Sequence, residues 1–119
     1  MNSFSKNVMK FGNYTQVENN NFKDKETNHI LIVDDEPYNL LSLQMVLKLC
    51  FKQLGWKQEI TEHIIDQASN GHEALQKVKT MCNKDIKYGL IFMDCSMPIM
   101  NGYDASDAIR HFYKQEKVD

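Results

Sequence analysis

An α/β domain built on an open parallel sheet is the fold class this sequence predicts, on three observations. Short, unbroken apolar runs alternate with longer segments whose apolar residues recur every three or four positions. The 119 residues suffice for one domain and are too few for two. An apolar content of 42% suits a packed core.

Residues 1–28 stand apart from this pattern. They are rich in Asn, with a run at Asn19, Asn20 and Asn21 followed by the charged patch Lys23-Asp24-Lys25-Glu26. Their apolar residues, such as Phe4, Val8, Phe11 and Val17, hold no period. Such a segment buries too little to offset its ordering entropy, so a disordered tail or linker is expected. The folded domain is expected over 29–119.

Ile30-Leu31-Ile32-Val33 is the first strand, and its unbroken apolarity implies cover on both faces. It ends in Asp34-Asp35. Pro37 then sits where a helix tolerates a missing N–H. The first helix is expected from Pro37 to about Leu54, with Leu40, Leu43, Leu47, Cys50 and Leu54 on its buried face. Leu41, Met45 and Leu49 widen that face, and Gly55 is a natural stop. Residues 56–63 fit neither period clearly. Ile64 to Ala68 reads as a second strand, less apolar and therefore a candidate sheet edge.

Ser69-Asn70-Gly71 is a turn, and Asn70 with Glu73 resembles a capping box. The helix that follows places Ala74, Leu75, Val78, Met81 and Cys82 on one face. After a polar loop at Lys84 to Lys87, Leu90-Ile91-Phe92-Met93 forms a third buried-type strand, again ending in an aspartate, Asp94. Pro98 and Gly102 mark a turn. The last helix begins near Asn101, with Ala105, Ala108, Ile109 and Phe112 aligned. The order β-α-β-α-β-α implies parallel strands with helices on both faces.

Composition narrows the function. A net charge of -2 without a basic stripe argues against direct nucleic-acid binding. Cys50, Cys82 and Cys95 are odd in number and lack CxxC spacing, which points to free thiols in a reducing cytoplasm. Two of them, Cys50 and Cys82, occupy apolar helix positions and are expected to act as small hydrophobes. His29, His63, His72 and His111 lack metal-ligand spacing and are expected to be exposed or capping. No signal peptide or membrane-spanning run is visible.

In open α/β sheets, functional residues gather beyond the carboxyl ends of the strands. If the first and third strands are neighbours, Asp34, Asp35 and Asp94 converge. Three carboxylates that close repel, and a divalent cation is one way to compensate. Hard oxygen donors suit Mg²⁺, which leaves positions for phosphate oxygens. One carboxylate can then serve as nucleophile and form an aspartyl phosphate. Either acidic site alone reads best as an ordinary turn or strand cap. Their occurrence at the ends of two apolar strands removes most of the weight from that explanation.

Three blocks carry a family resemblance. Ile30 to Pro37 resembles the opening of response-regulator receiver domains, and Ala68 to Leu75 their second-strand exit. Phe92-Met93-Asp94-Cys95-Ser96-Met97-Pro98-Ile99-Met100-Asn101-Gly102-Tyr103 resembles the segment around their phosphorylated aspartate. With Asn39, the last block is most similar to receivers of hybrid sensor histidine kinases. The resemblance implies a flavodoxin-like sheet of order 2-1-3 in the part present. It implies Asp94 as phosphoacceptor, Asp35 as direct Mg²⁺ ligand, Asp34 as a partner acting through water, and Ser96 as donor of a backbone carbonyl to the metal. Pro98 and Gly102 match positions that shape the loop. Asp104 and Asp107 are expected to be solvated. The implied partner is a histidine kinase or histidine phosphotransfer protein.

The sequence departs from the family by stopping after the third helix of the pattern. The strands and helices from the fourth strand to the fifth helix are expected to be absent, with the hydroxyl and lysine they supply. The third strand would then be an unprotected apolar edge, and self-association through it is expected. The function read from these residues is phosphoacceptance in a two-component relay, a signalling role rather than an enzyme. The alternative is an incomplete receiver that only binds protein. A magnesium phosphatase with an aspartate nucleophile fits poorly, because Glu36 stands where such enzymes place a second aspartate.

Overall fold

The computed structural model describes residues 28–97 and 99–116. Its three strands are β1 (Asn28–Val33), β2 (Ile65–Ala68) and β3 (Lys87–Met93), all parallel in the order β2-β1-β3. The helices are α1 (Pro37–Gln53), α2 (Gln58–Ile64), α3 (Gly71–Cys82) and α4 (Gly102–Gln115). The sheet order and the α/β class agree with the sequence expectation. The expected tail falls almost wholly outside the described residues, and Asn28 already belongs to β1.

Alternation along β1 divides the core in two. Ile30 and Ile32 face α1 and α2, packing with Phe51, Ile60, Ile64 and the buried Trp56. Leu31 and Val33 face α3 and α4, packing with Ala74, Val78 and Ile109. All four β1 side chains are buried, as unbroken apolarity predicts for a strand covered twice.

Residues 56–63, unassigned by periodicity, contain α2. The preceding turn explains its start. Gly55 takes φ 90°, its N–H bonds to Lys52 O, and the Trp56 N–H bonds to Phe51 O. This pairing closes α1 with glycine in the left-handed region. The Phe51 and Trp56 rings then meet edge-on at 5.4 Å, which returns the chain to the core. Asn70 caps α3 by accepting from the Glu73 N–H at 2.8 Å, and Asn101 caps α4 by accepting from the Asp104 N–H at 2.9 Å.

Several expectations need correction. Cys50 is exposed rather than a core residue, because Leu43 and Leu47 take the sheet-facing positions of α1. β3 starts at Lys87, so part of the expected loop is strand. His29 is buried, not exposed or capping. It joins the three strands at the sheet end opposite Asp34. Its Nδ1 lies 3.1 Å from Asp66 Oδ2, and the Tyr88 hydroxyl donates to the same oxygen at 2.6 Å. A carboxylate only accepts, so His29 carries its proton on Nδ1. Tyr113 of α4 donates or accepts nothing further to this carboxylate but receives the Tyr88 N–H at 3.0 Å.

Burial alone acts to raise the Asp66 pKa. The hydrogen bonds from His29 and Tyr88, aided by the charges of His29 and Lys77, outweigh it and hold the carboxyl below its ordinary value. A lowered folded-state pKa stabilises the protein above the ordinary carboxylate range, and that contribution is lost as pH falls through the folded value. Asp66→Asn should therefore destabilise the fold by about 2 kcal/mol at neutral pH. Denaturant titration across pH checks this, since the gap between variant and parent should close in acid.

Candidate functional site

Register brings the acidic residues together. Val33 pairs with Met93, and the Asp94 N–H bonds to Val33 O at 3.0 Å, so the next residues leave adjacent strands side by side. Asp34, Asp35 and Asp94 each present a carboxylate oxygen within 4.8 Å of the others. Asp34 and Asp94 are half-buried, and Asp35 is exposed.

Local bonds orient two of the three. Asp34 Oδ1 accepts from the Glu36 N–H at 2.9 Å, and Asp94 Oδ1 accepts from the Ser96 N–H at 3.2 Å. Each leaves the second oxygen of its carboxylate available. Among the described residues no Lys, Arg or His pairs with any of the three acids. The like charges are thus uncompensated by protein. A hard divalent cation fits this donor set, because its ligands at about 2.1 Å can be drawn together by small side-chain rotations. A cavity of about 230 Å³ opens beside Asp94 and is lined also by Asn39, Leu43 and Phe92.

The loop after Asp94 is held from below. Met97 is buried, and the Gly102 N–H bonds to Cys95 O at 3.2 Å. A Cβ on Gly102 would collide with the Asp94 carbonyl. Gly71, at the start of α3, is similarly tight, since a Cβ there would lie 2.5 Å from Met100 O. Pro98 lies outside the described residues. Ser96 is exposed and approaches Asp94 through its backbone. Asp104 and Asp107 are exposed, as expected, with Asp107 bonded to Arg110 at 3.1 Å.

Asn39 and Tyr103 stand in or beside the blocks that carry the family resemblance, but no sequence signal places either at the site. Asn39 reaches the cavity because it sits one turn into α1, on the side toward β3. Tyr103 is exposed, and interaction with the Cys95 thiol raises its phenol above the ordinary value. Periodicity marks only buried faces and gives no signal for either.

Comparison with known proteins adds to this geometry. The family described as the response regulator receiver domain matches residues 30–118. "Hybrid signal transduction histidine kinase B" of Dictyostelium discoideum is 37% identical over 90 residues, which are 76% of this chain and 4% of that protein. The receiver domain of the histidine kinase CKI1 from Arabidopsis thaliana, solved with Mg²⁺, superposes with a TM-score of 0.55 at 29% identity. That match covers 77% of this chain and 62% of the solved one. CheY of Borrelia burgdorferi, in a complex with CheX, BeF₃ and Mg²⁺, gives a TM-score of 0.55 at 28% identity, over 74% and 56% of the two chains. The chain thus spans less than two thirds of the length of each of these relatives. With the parallel sheet, the acidic strand ends and the tight glycine beneath Asp94 in place, the family match identifies this chain as a member of the response-regulator receiver domain family.

Proposed function

We propose that the chain is a phosphoacceptor in a two-component relay, with Asp94 as the acceptor. The observation that carries this reading is the convergence of three unpaired carboxylates at the ends of β1 and β3. Asp35 and Asp94 would hold Mg²⁺ directly, Asp34 would act through water, and the Ser96 carbonyl would complete the protein ligands. Bound there, Mg²⁺ would neutralise the charge that develops on the transferred phosphoryl group.

The Asp94 oxygen that does not accept from Ser96 is the nucleophile. It forms a P–O bond as the P–N bond of a phosphohistidine breaks, and the leaving imidazole takes a proton from water. The donor is a histidine kinase or histidine phosphotransfer protein, in the cytoplasm, where three free cysteines are stable. No described helix is long and apolar enough to cross a membrane.

Incubation with acetyl phosphate tests the reading. Intact mass should rise by one phosphoryl group with Mg²⁺ and remain unchanged in EDTA. No gain with Mg²⁺ would leave the chain as a protein-binding module.

Self-association is part of the same proposal. β3 is an edge among the described residues, and Leu90 and Phe92 are 40% and 36% exposed on its α1 side. Neither a proline nor a charge protects residues 88–93 of the strand. The melting temperature should rise with protein concentration, and Phe92→Lys should flatten that dependence. A sharp melt from a monomer at every concentration counts against it.

A further inference from the structure

A cavity of about 670 Å³ lies away from the acidic cluster, between the C-terminal half of α1 and α2. We propose that it is a binding site for an anionic amphiphile, a molecule with an apolar chain and a carboxylate head, of the fatty-acid type. The volume is that of a small-molecule site. Met45, Val46, Leu49 and Trp56 form its apolar wall. Met45, Val46 and Leu49 are each more than half exposed, a costly arrangement for side chains of this size unless something covers them.

Charge selects the occupant. The charged groups of the lining are Lys48 and Lys52, one helical turn apart. Among the described residues neither lysine is paired with a carboxylate. Lys52, in the last turn of α1, answers the helix dipole, but Lys48 stands a turn too early for that role. Two of the other polar lining groups are turned to protein partners. The Gln58 amide donates to Glu62 at 2.8 Å, and the Thr61 hydroxyl donates to Lys57 O at 3.2 Å. The two ammonium groups are the charged donors of the lining, and they call for an anion. The apolar wall takes the chain.

Trp56 is the sole tryptophan and lies at the base of the cavity, so its emission reports on occupancy. Laurate, kept below its micellar range, should change that emission saturably, with amide shifts in NMR spectra confined to residues 45–61. The double substitution Lys48→Glu, Lys52→Glu should weaken binding roughly tenfold or more. Should that variant fail to fold, Lys48→Gln with Lys52→Gln should show the same direction. Dodecyltrimethylammonium, with the same chain and the opposite charge, should bind far more weakly. The assignment is overturned if laurate leaves Trp56 unchanged, or if both amphiphiles bind equally. It is also overturned if the lysine variants bind as the parent does, or if an acidic amphipathic peptide saturates the site that laurate does not occupy.

Discussion

Asp94→Asn is expected to abolish Mg²⁺-dependent phosphorylation by acetyl phosphate while raising the stability of the metal-free protein. The first effect follows from chemistry, because an amide lacks the anionic oxygen that attacks phosphorus. The second follows from charge. Asn keeps an oxygen for the Ser96 N–H, so the loop geometry survives, but one of three like charges within 4.8 Å disappears. At partly exposed positions this relief is on the order of 1 kcal/mol at low salt, or about 4–8 °C in melting temperature for a domain of this size. Added Mg²⁺ should stabilise the parent and have a much smaller effect on the variant, since binding to the folded state alone raises its stability. Calorimetry in EDTA and in Mg²⁺, with intact-mass analysis, reads both effects. Equal phosphorylation of parent and variant would remove Asp94 from its role. Equal melting in EDTA would show that the three charges do not oppose one another.

Gly102→Ala is the second large change expected. It adds one carbon where the α4 N-terminus meets the Asp94 carbonyl, and the obstructing atoms are backbone that no rotamer change can clear. Either α4 retreats from the sheet or the Asp94 segment shifts. Overpacking of this kind costs about 1–3 kcal/mol. The retreat would also loosen the packing of Ala105 and Ile109, which α4 buries through the same approach. Denaturant unfolding should show the loss, and the phosphorylation rate should fall beyond what the unfolded fraction explains, because Asp94 itself is displaced. A variant with parental stability and parental rate would mean that this contact relaxes freely. Ala108→Ser, half-buried on the same helix, serves as the control for a small change that should leave both quantities near the parent.

Much of this architecture is legible in the sequence because its signals are local. Ile30 to Val33 can only be a doubly covered strand, Pro37 and Gly55 bracket α1, and Asn70 and Asn101 announce the helices they cap. The aspartates that end β1 and β3 stand out for the same reason. Each signal spans a few residues and depends on backbone chemistry shared by all chains. Residues 56–63 lacked such a signal, since α2 is short and its two buried isoleucines are set by contact with β1 rather than by a long period.

Tertiary structure alone decided how distant segments meet. His29 and Asp66 are 37 residues apart, and nothing near His29 in the chain distinguishes a buried imidazole from a solvated one. Its burial becomes tolerable only when β2 and β3 bring a carboxylate and a phenol to the same point. The cavity between α1 and α2, and the bare side of β3 at Leu90 and Phe92, likewise depend on which neighbours pack and which do not. Short-range periodicity and capping fix every element except α2, together with the acidic strand ends. The register that gathers Asp34, Asp35 and Asp94 was decided only in three dimensions, because pairing between strands is a long-range choice among faces that local sequence leaves equivalent.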